Sequence, residues 1–206
     1  LLATLILQGE NMSRFHSNLR FLPLSIFAMA FASLTGGCAT MPATESKSPT
    51  GMDVTSSAFS ENGTIPAEHA RTGDCGGQNV SLHVAWSNLP AKAKSVAVLL
   101  WDPDGAAGLG VSHWVVYNIA AERGQLKSGE AQAGADFTMG PNVTGEAVYR
   151  GMCPPVGDRP HHYVLTVVAS ELPPGALPAG LKREALLAAL KGHALGGQSV
   201  VGRYSR

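Results

Sequence analysis

A mostly β domain with one late helix is the fold class this sequence predicts, and three observations carry the prediction. The chain of 206 residues is 45% hydrophobic, which is enough apolar material for a buried core. It holds 24 Gly and 13 Pro against only 15% charged residues, a balance that suits many turns between short strands. Its apolar runs are short and punctuated, and only one late stretch has helical spacing.

The first segment is set apart from that domain. Met12 reads as the start, with residues 1–11 as an upstream extension. Arg14 and Arg20 are followed by an apolar run over 21–34 and then by Thr35-Gly36-Gly37-Cys38. A basic region, an apolar region and small residues in that order make an export signal. The apolar run is shorter than the roughly 20 residues that a membrane span needs. Small residues directly before Cys38 point to a lipoprotein cleavage box, with Cys38 as the lipidated residue. Thr35 stands where a large aliphatic residue is usual, so simple secretion is the alternative. Residues 38–58 are rich in Thr, Ser, Pro and Ala and read as a flexible tether, with the folded domain over 59–206.

Within the domain, residues 82–86 alternate and put Leu82, Val84 and Trp86 on one face of a strand. Residues 95–101 are apolar almost throughout, as in a strand buried on both faces. Asp102-Pro103-Asp104-Gly105 is a turn signal. Strands are expected again at 113–119 and 163–169, with a short last one at 200–204. Leu186, Leu187, Leu190 and Ala194 line one face of a helix over about 181–195, which Gly196-Gly197 stops. Trp86, Trp101 and Trp114 read as core residues.

Lys plus Arg equal Asp plus Glu at 15 each, so no overall field draws nucleic acid to the chain. Cys75 and Cys153 belong to no CxxC pair, which argues against a thiolate metal site. In an oxidising compartment they would most simply form one disulfide; two buried free thiols would be expected only without export. Asp102, Asp104, His113, His161, His162 and Tyr163 sit at strand ends or in loops, where convergence would build a polar pocket. His161 and His162 are adjacent, so on a strand at most one of them faces it.

Three ordered motifs carry a resemblance: Val96 through Asp104, His113-Trp114-Val115-Val116-Tyr117-Asn118-Ile119, and Cys153-Pro154-Pro155 through His161-His162-Tyr163. With Cys75 through Ser81 in support, they make the chain resemble the phosphatidylethanolamine-binding proteins, whose bacterial branch is called Raf kinase inhibitor-like. The resemblance implies a β-sandwich of two sheets with a small anion pocket at one edge. That pocket would use Asp102, Asp104, His113, Gly151, Pro154, Pro155, His161 and Tyr163. Imidazole and phenol groups would meet the anion, each Asp would orient a ring, and Gly151 would let backbone approach the ligand. The chain departs from the family at Gly105-Ala106, where Pro is usual, and at His162, where Arg is common.

The expected function is therefore the binding of a small anion, such as phosphate, acetate or a phosphoethanolamine-like group, by an exported protein. No cofactor, metal or catalytic residue is implied. The alternatives are a protein-interaction regulator of kinases or proteases and, with less support, a hydrolase using the Asp and His residues. No Gly-x-Ser-x-Gly elbow or HExxH motif supports the last reading.

Overall fold

A computed structural model describes residues 51–132 and 136–206. The expected export signal, Cys38 and the first part of the expected tether lie outside these described residues. Among the described residues, eight strands form two antiparallel sheets. The small sheet contains β1 (Asp53–Thr55), β2 (Val84–Ser87) and β5 (Gln125–Leu126), in the order β1-β2-β5. The large sheet contains β3 (Ser95–Asp102), β4 (Val111–Ala120), β6 (Thr138–Met139), β7 (His161–Ser170) and β8 (Ala194–Tyr204). Its order is β6-β4-β3-β7-β8.

The small sheet covers one face of the large one. Met52, Val54, Leu82, Val84 and Trp86 share a single apolar cluster with Val96, Val98 and Leu100 of β3 and Leu165 and Val167 of β7. The opposite face of the large sheet presents Ala97, Leu99, Val115 and Tyr117 to Leu186 and Leu190 of α1 (Arg183–Leu190). This is why β3 lacks polar alternation: one face meets the small sheet and the other meets the helix. The architecture is the expected two-sheet β-sandwich with one late helix and a final strand.

Three boundaries differ from expectation. The stretch read as tether enters the fold before residue 59, because Met52 is fully buried and β1 pairs with β2, Val54 opposite Trp86. Thr, Ser and Gly dominate the local composition there, but a single alternating triplet is enough to add an edge strand. The helix ends at Leu190, five residues short of the expected limit, and the final strand starts at Ala194 rather than Val200. Gly196 and Gly197 pair with Ala169 and Val168 on β7, so that strand supplies partners for backbone with no side chains of its own to pack. Trp101 is only half-buried: the Arg183 guanidinium lies 4.2 Å from the centre of its ring, and the backbone of Gly110 presses on its edge.

Candidate functional site

Period-2 alternation delivers most of the site. Asp102 follows Val96, Val98 and Leu100 on the inner row of β3, and His161 and Tyr163 precede Leu165 and Val167 on the inner row of β7. Where the apolar rows run out, these polar residues close the end of the sandwich. His113 arrives by another route. Leu100 pairs with Trp114 and Trp101 with Ser112, so His113 is the extra residue of a β-bulge. A bulge bends its strand and re-aims a side chain. The backbone of Arg150 holds it there, donating its amide to His113 O at 3.0 Å and accepting from His113 Nδ1 at 2.8 Å.

Together these elements bound a cavity of about 290 Å³. All eight residues singled out in the sequence line it: Asp102, Asp104, His113 and Gly151, then Pro154, Pro155, His161 and Tyr163. Their roles differ. Asp102 is buried, and its Oδ1 accepts the backbone amides of Asp104 at 2.9 Å and Gly105 at 3.0 Å. Its Oδ2 accepts from Nδ1 of His161 at 2.9 Å and lies 3.9 Å from Nε2 of His113, beyond hydrogen-bond reach. Burial alone would raise the Asp102 carboxyl, but His113, His161 and the Gly105 amide outweigh it and hold the group below the usual carboxylate range. Burial likewise opposes charging of His161, and Asp102 overcomes it, moving this imidazole above its ordinary value.

Asp104 serves the wall more than the interior. Its Oδ2 accepts both the backbone amide of His162 at 2.7 Å and the ring Nδ1 of His162 at 2.8 Å. The His162 amide, with its ring behind it, lowers the Asp104 carboxyl. His162 itself does not line the cavity, as the strand alternation requires. Gly151 has a structural reason beyond ligand access. A Cβ there would stand 2.4 Å from His69 O and 2.5 Å from Arg71 N, so its bareness lets two loops lie together.

Two polar atoms in the cavity wall are buried without a hydrogen-bond partner among the described residues: Nε2 of His113 and the hydroxyl of Tyr163. Burial, and then the charge of Asp102, push the Tyr163 phenol upward, so it stays a neutral donor. With Nδ1 of His113 committed as a donor to a carbonyl, Nε2 carries a lone pair in the neutral ring and a second N–H in the cation.

Three charged cavity residues are not expected from the sequence: Arg71, Arg150 and Asp158, whose carboxylate lies 3.6 Å from Nε2 of His161. Both arginines lie in loops without periodicity. The usable signals were the place of Arg150 immediately before Gly151 and that of Arg71 four residues before Cys75. Cys75 and Cys153 are joined by a disulfide, with Cα atoms 5.3 Å apart, and Cys153 is part of the cavity wall. Arg206 fastens the same region, donating to the carbonyls of Pro154 at 2.6 Å and Asp74 at 2.7 Å. Among the described residues, no cluster of three or more His, Cys, Asp or Glu side chains could hold a metal ion.

A β-sandwich whose inner rows end in a small polar cavity, with two unpartnered polar atoms buried in the residues that line it, is the frame of a ligand-binding protein. Residues 55–205 match the phosphatidylethanolamine-binding protein family, and the chain belongs to that family. Membership places it among ligand-binding proteins that are generally not catalytic. A UPF0098 protein of Methanothermobacter thermautotrophicus is 32% identical over 75% of this chain and 99% of its own length. LppC of Mycobacterium tuberculosis, named as a candidate lipoprotein, is 34% identical over 78% of this chain and 87% of its own. The crystal structure of Escherichia coli YbcL, described as a member of the mammalian PEBP family, superposes with a TM-score of 0.69. The match has 28% identity and covers 75% of this chain and 98% of that one.

Proposed function

We propose that this protein is exported and binds a small anion, of the phosphate or phospholipid head-group type, in the cavity without transforming it. The observation that carries the reading is the pair of buried, unpartnered atoms, His113 Nε2 and Tyr163 OH, in a wall that also holds Arg71 and Arg150. A buried polar group left unpaired costs about 1–3 kcal/mol, and a ligand oxygen would remove that cost by accepting from the Tyr163 hydroxyl and, when the ring is protonated, from Nε2 of His113. Of the three carboxylates in the wall, Asp158 lies 3.6 Å from Nε2 of His161, and the other two are already engaged. Asp102 is occupied by two amides and His161, and Asp104 by His162. Asp102 holds Nδ1 of His161 as a donor, which leaves the imidazole charged to a higher pH and favours a negative ligand.

Export is supported by the basic and apolar pattern before Cys38 and by the Cys75–Cys153 disulfide, which suits an oxidising compartment. The name given to the mycobacterial relative favours a lipid anchor at Cys38.

Isothermal titration with inorganic phosphate, acetate and phosphoethanolamine tests the binding. The expectation is one site per chain, weakened about tenfold or more in His161→Ala and Asp102→Ala. Unchanged binding in both variants would place the ligand elsewhere and sink the reading. Phosphorus NMR of phosphoethanolamine with the protein should show no inorganic phosphate released over a day. For the anchor, Cys38→Ser should move the protein from the membrane fraction to the soluble one.

A further inference from the structure

Arg71 is placed unlike any other cation of the cavity. Its amide donates to Met152 O at 3.0 Å, and its carbonyl accepts from Gly77 at 2.9 Å, so its backbone is stitched to both cysteine loops. Its guanidinium lies against the disulfide, donating from Nε to Cys75 Sγ at 3.1 Å and from one terminal nitrogen to Cys153 Sγ at 3.5 Å. Sulfur is a weak acceptor, so these contacts orient the group without neutralising it. No carboxylate lies within ion-pair distance of Arg71 among the described residues. A guanidinium has five N–H donors in a planar fork, and two on sulfur leave the rest for the cavity.

We infer that Arg71 is an anion-binding residue of this cavity and that the Cys75–Cys153 bridge is the element that aims it, which makes ligand affinity depend on the bridge. The inference rests on the reading of the cavity as an anion site. Arg150 is a second guanidinium in the same wall; burial, and then the neighbouring charge of Arg71, hold it below its ordinary value. Glu146 offsets part of the charge of Arg150, and an anion between or beside the two guanidinium groups would relieve the repulsion that is left. A Lys at position 71 would bring the charge but not the fork.

The test is phosphate titration of the wild type, Arg71→Ala and Arg71→Lys, each with the bridge intact and after treatment with a phosphine. Reduction gives the two sulfurs two electrons and two protons, yielding two thiols, while the phosphine takes the oxygen of a water molecule. With the bridge intact, Arg71→Ala should bind phosphate about tenfold or more weakly, and Arg71→Lys should recover only part of the loss. Reduction should weaken the wild type by a similar factor and Arg71→Ala hardly at all. Equal binding by Arg71→Ala and wild type overturns the inference. So does an equal effect of reduction on both, which would mean that the bridge acts through the loop. Should reduction unfold the protein by near-ultraviolet dichroism, the oxidised proteins decide: Arg71→Lys equal to wild type overturns the aimed fork. A wild type that binds no phosphate overturns the anion site and this inference together, whereas binding indifferent to Arg71 overturns this inference alone.

Discussion

Asp102 and His161 show how two side chains set the behaviour of the cavity with pH. The His161 imidazole is raised above its ordinary 6.5, so its contribution to stability is complete below that value and is lost as pH rises through the raised one. Asp102 is lowered from 3.8, so its contribution is present above that value and is lost as pH falls through the lowered one. Stability should therefore be greatest between about pH 4 and 6.5 for this pair and should decline on both sides. Urea unfolding of wild type and His161→Gln across pH 5 to 9 checks the alkaline side: only the wild type should show the decline that this pair contributes. Removing the carboxylate has a larger effect. Asp102→Ala leaves two amides and an imidazole without their acceptor and should lose about 2–4 kcal/mol in denaturant unfolding. Asp102→Asn keeps an oxygen for the amides and should lose less, about 1–2 kcal/mol.

At the scale of elements, alternation accounts for Asp102, His161 and Tyr163, because each continues an apolar row to its end. His113 could not be placed that way. In a regular β4 it would share a face with Val115, which packs toward α1. The bulge opposite Leu100 and Trp101 turns it inward, and a bulge depends on pairing with a partner strand rather than on local residues. The cavity also depends on two loops in close contact. Gly151→Ala would drive a methyl group into the backbone of residues 69–71 and should destabilise by about 1–3 kcal/mol, measured by thermal unfolding. The apolar spacing predicts the helix but carries it too far, since Ala194 and the two glycines have partners on β7. Tertiary pairing overrode local propensity there.

For the whole molecule, the disulfide is the covalent constraint among the described residues. It joins positions 78 residues apart and ties the loop before β2 to the loop before β7. Chain-entropy arguments give such a closure about 4–5 kcal/mol of stabilisation. Replacing both cysteines with serine should lower the unfolding midpoint by about 10 °C or more in calorimetry while leaving a folded protein at room temperature. The same closure explains why the sequence around Arg71 carries little sign of its place in the cavity. Its neighbours in sequence are unremarkable, and its relation to Cys153 and Arg150 exists only once the bridge and the two loops meet.

Strand periodicity and turn chemistry, which are local or repeat at a fixed period, predict the mostly β domain and the late helix, while the resemblance carried by three ordered motifs implies the two sheets and the eight residues around the cavity. Folding in space decided the rest: the entry of residues 52–55 into the small sheet, the length of β8, the inward turn of His113 and the recruitment of Arg71 and Arg150. Each of these depends on a partner far away in the chain, and hydrogen bonds and contacts across that separation leave no pattern in the residues on either side.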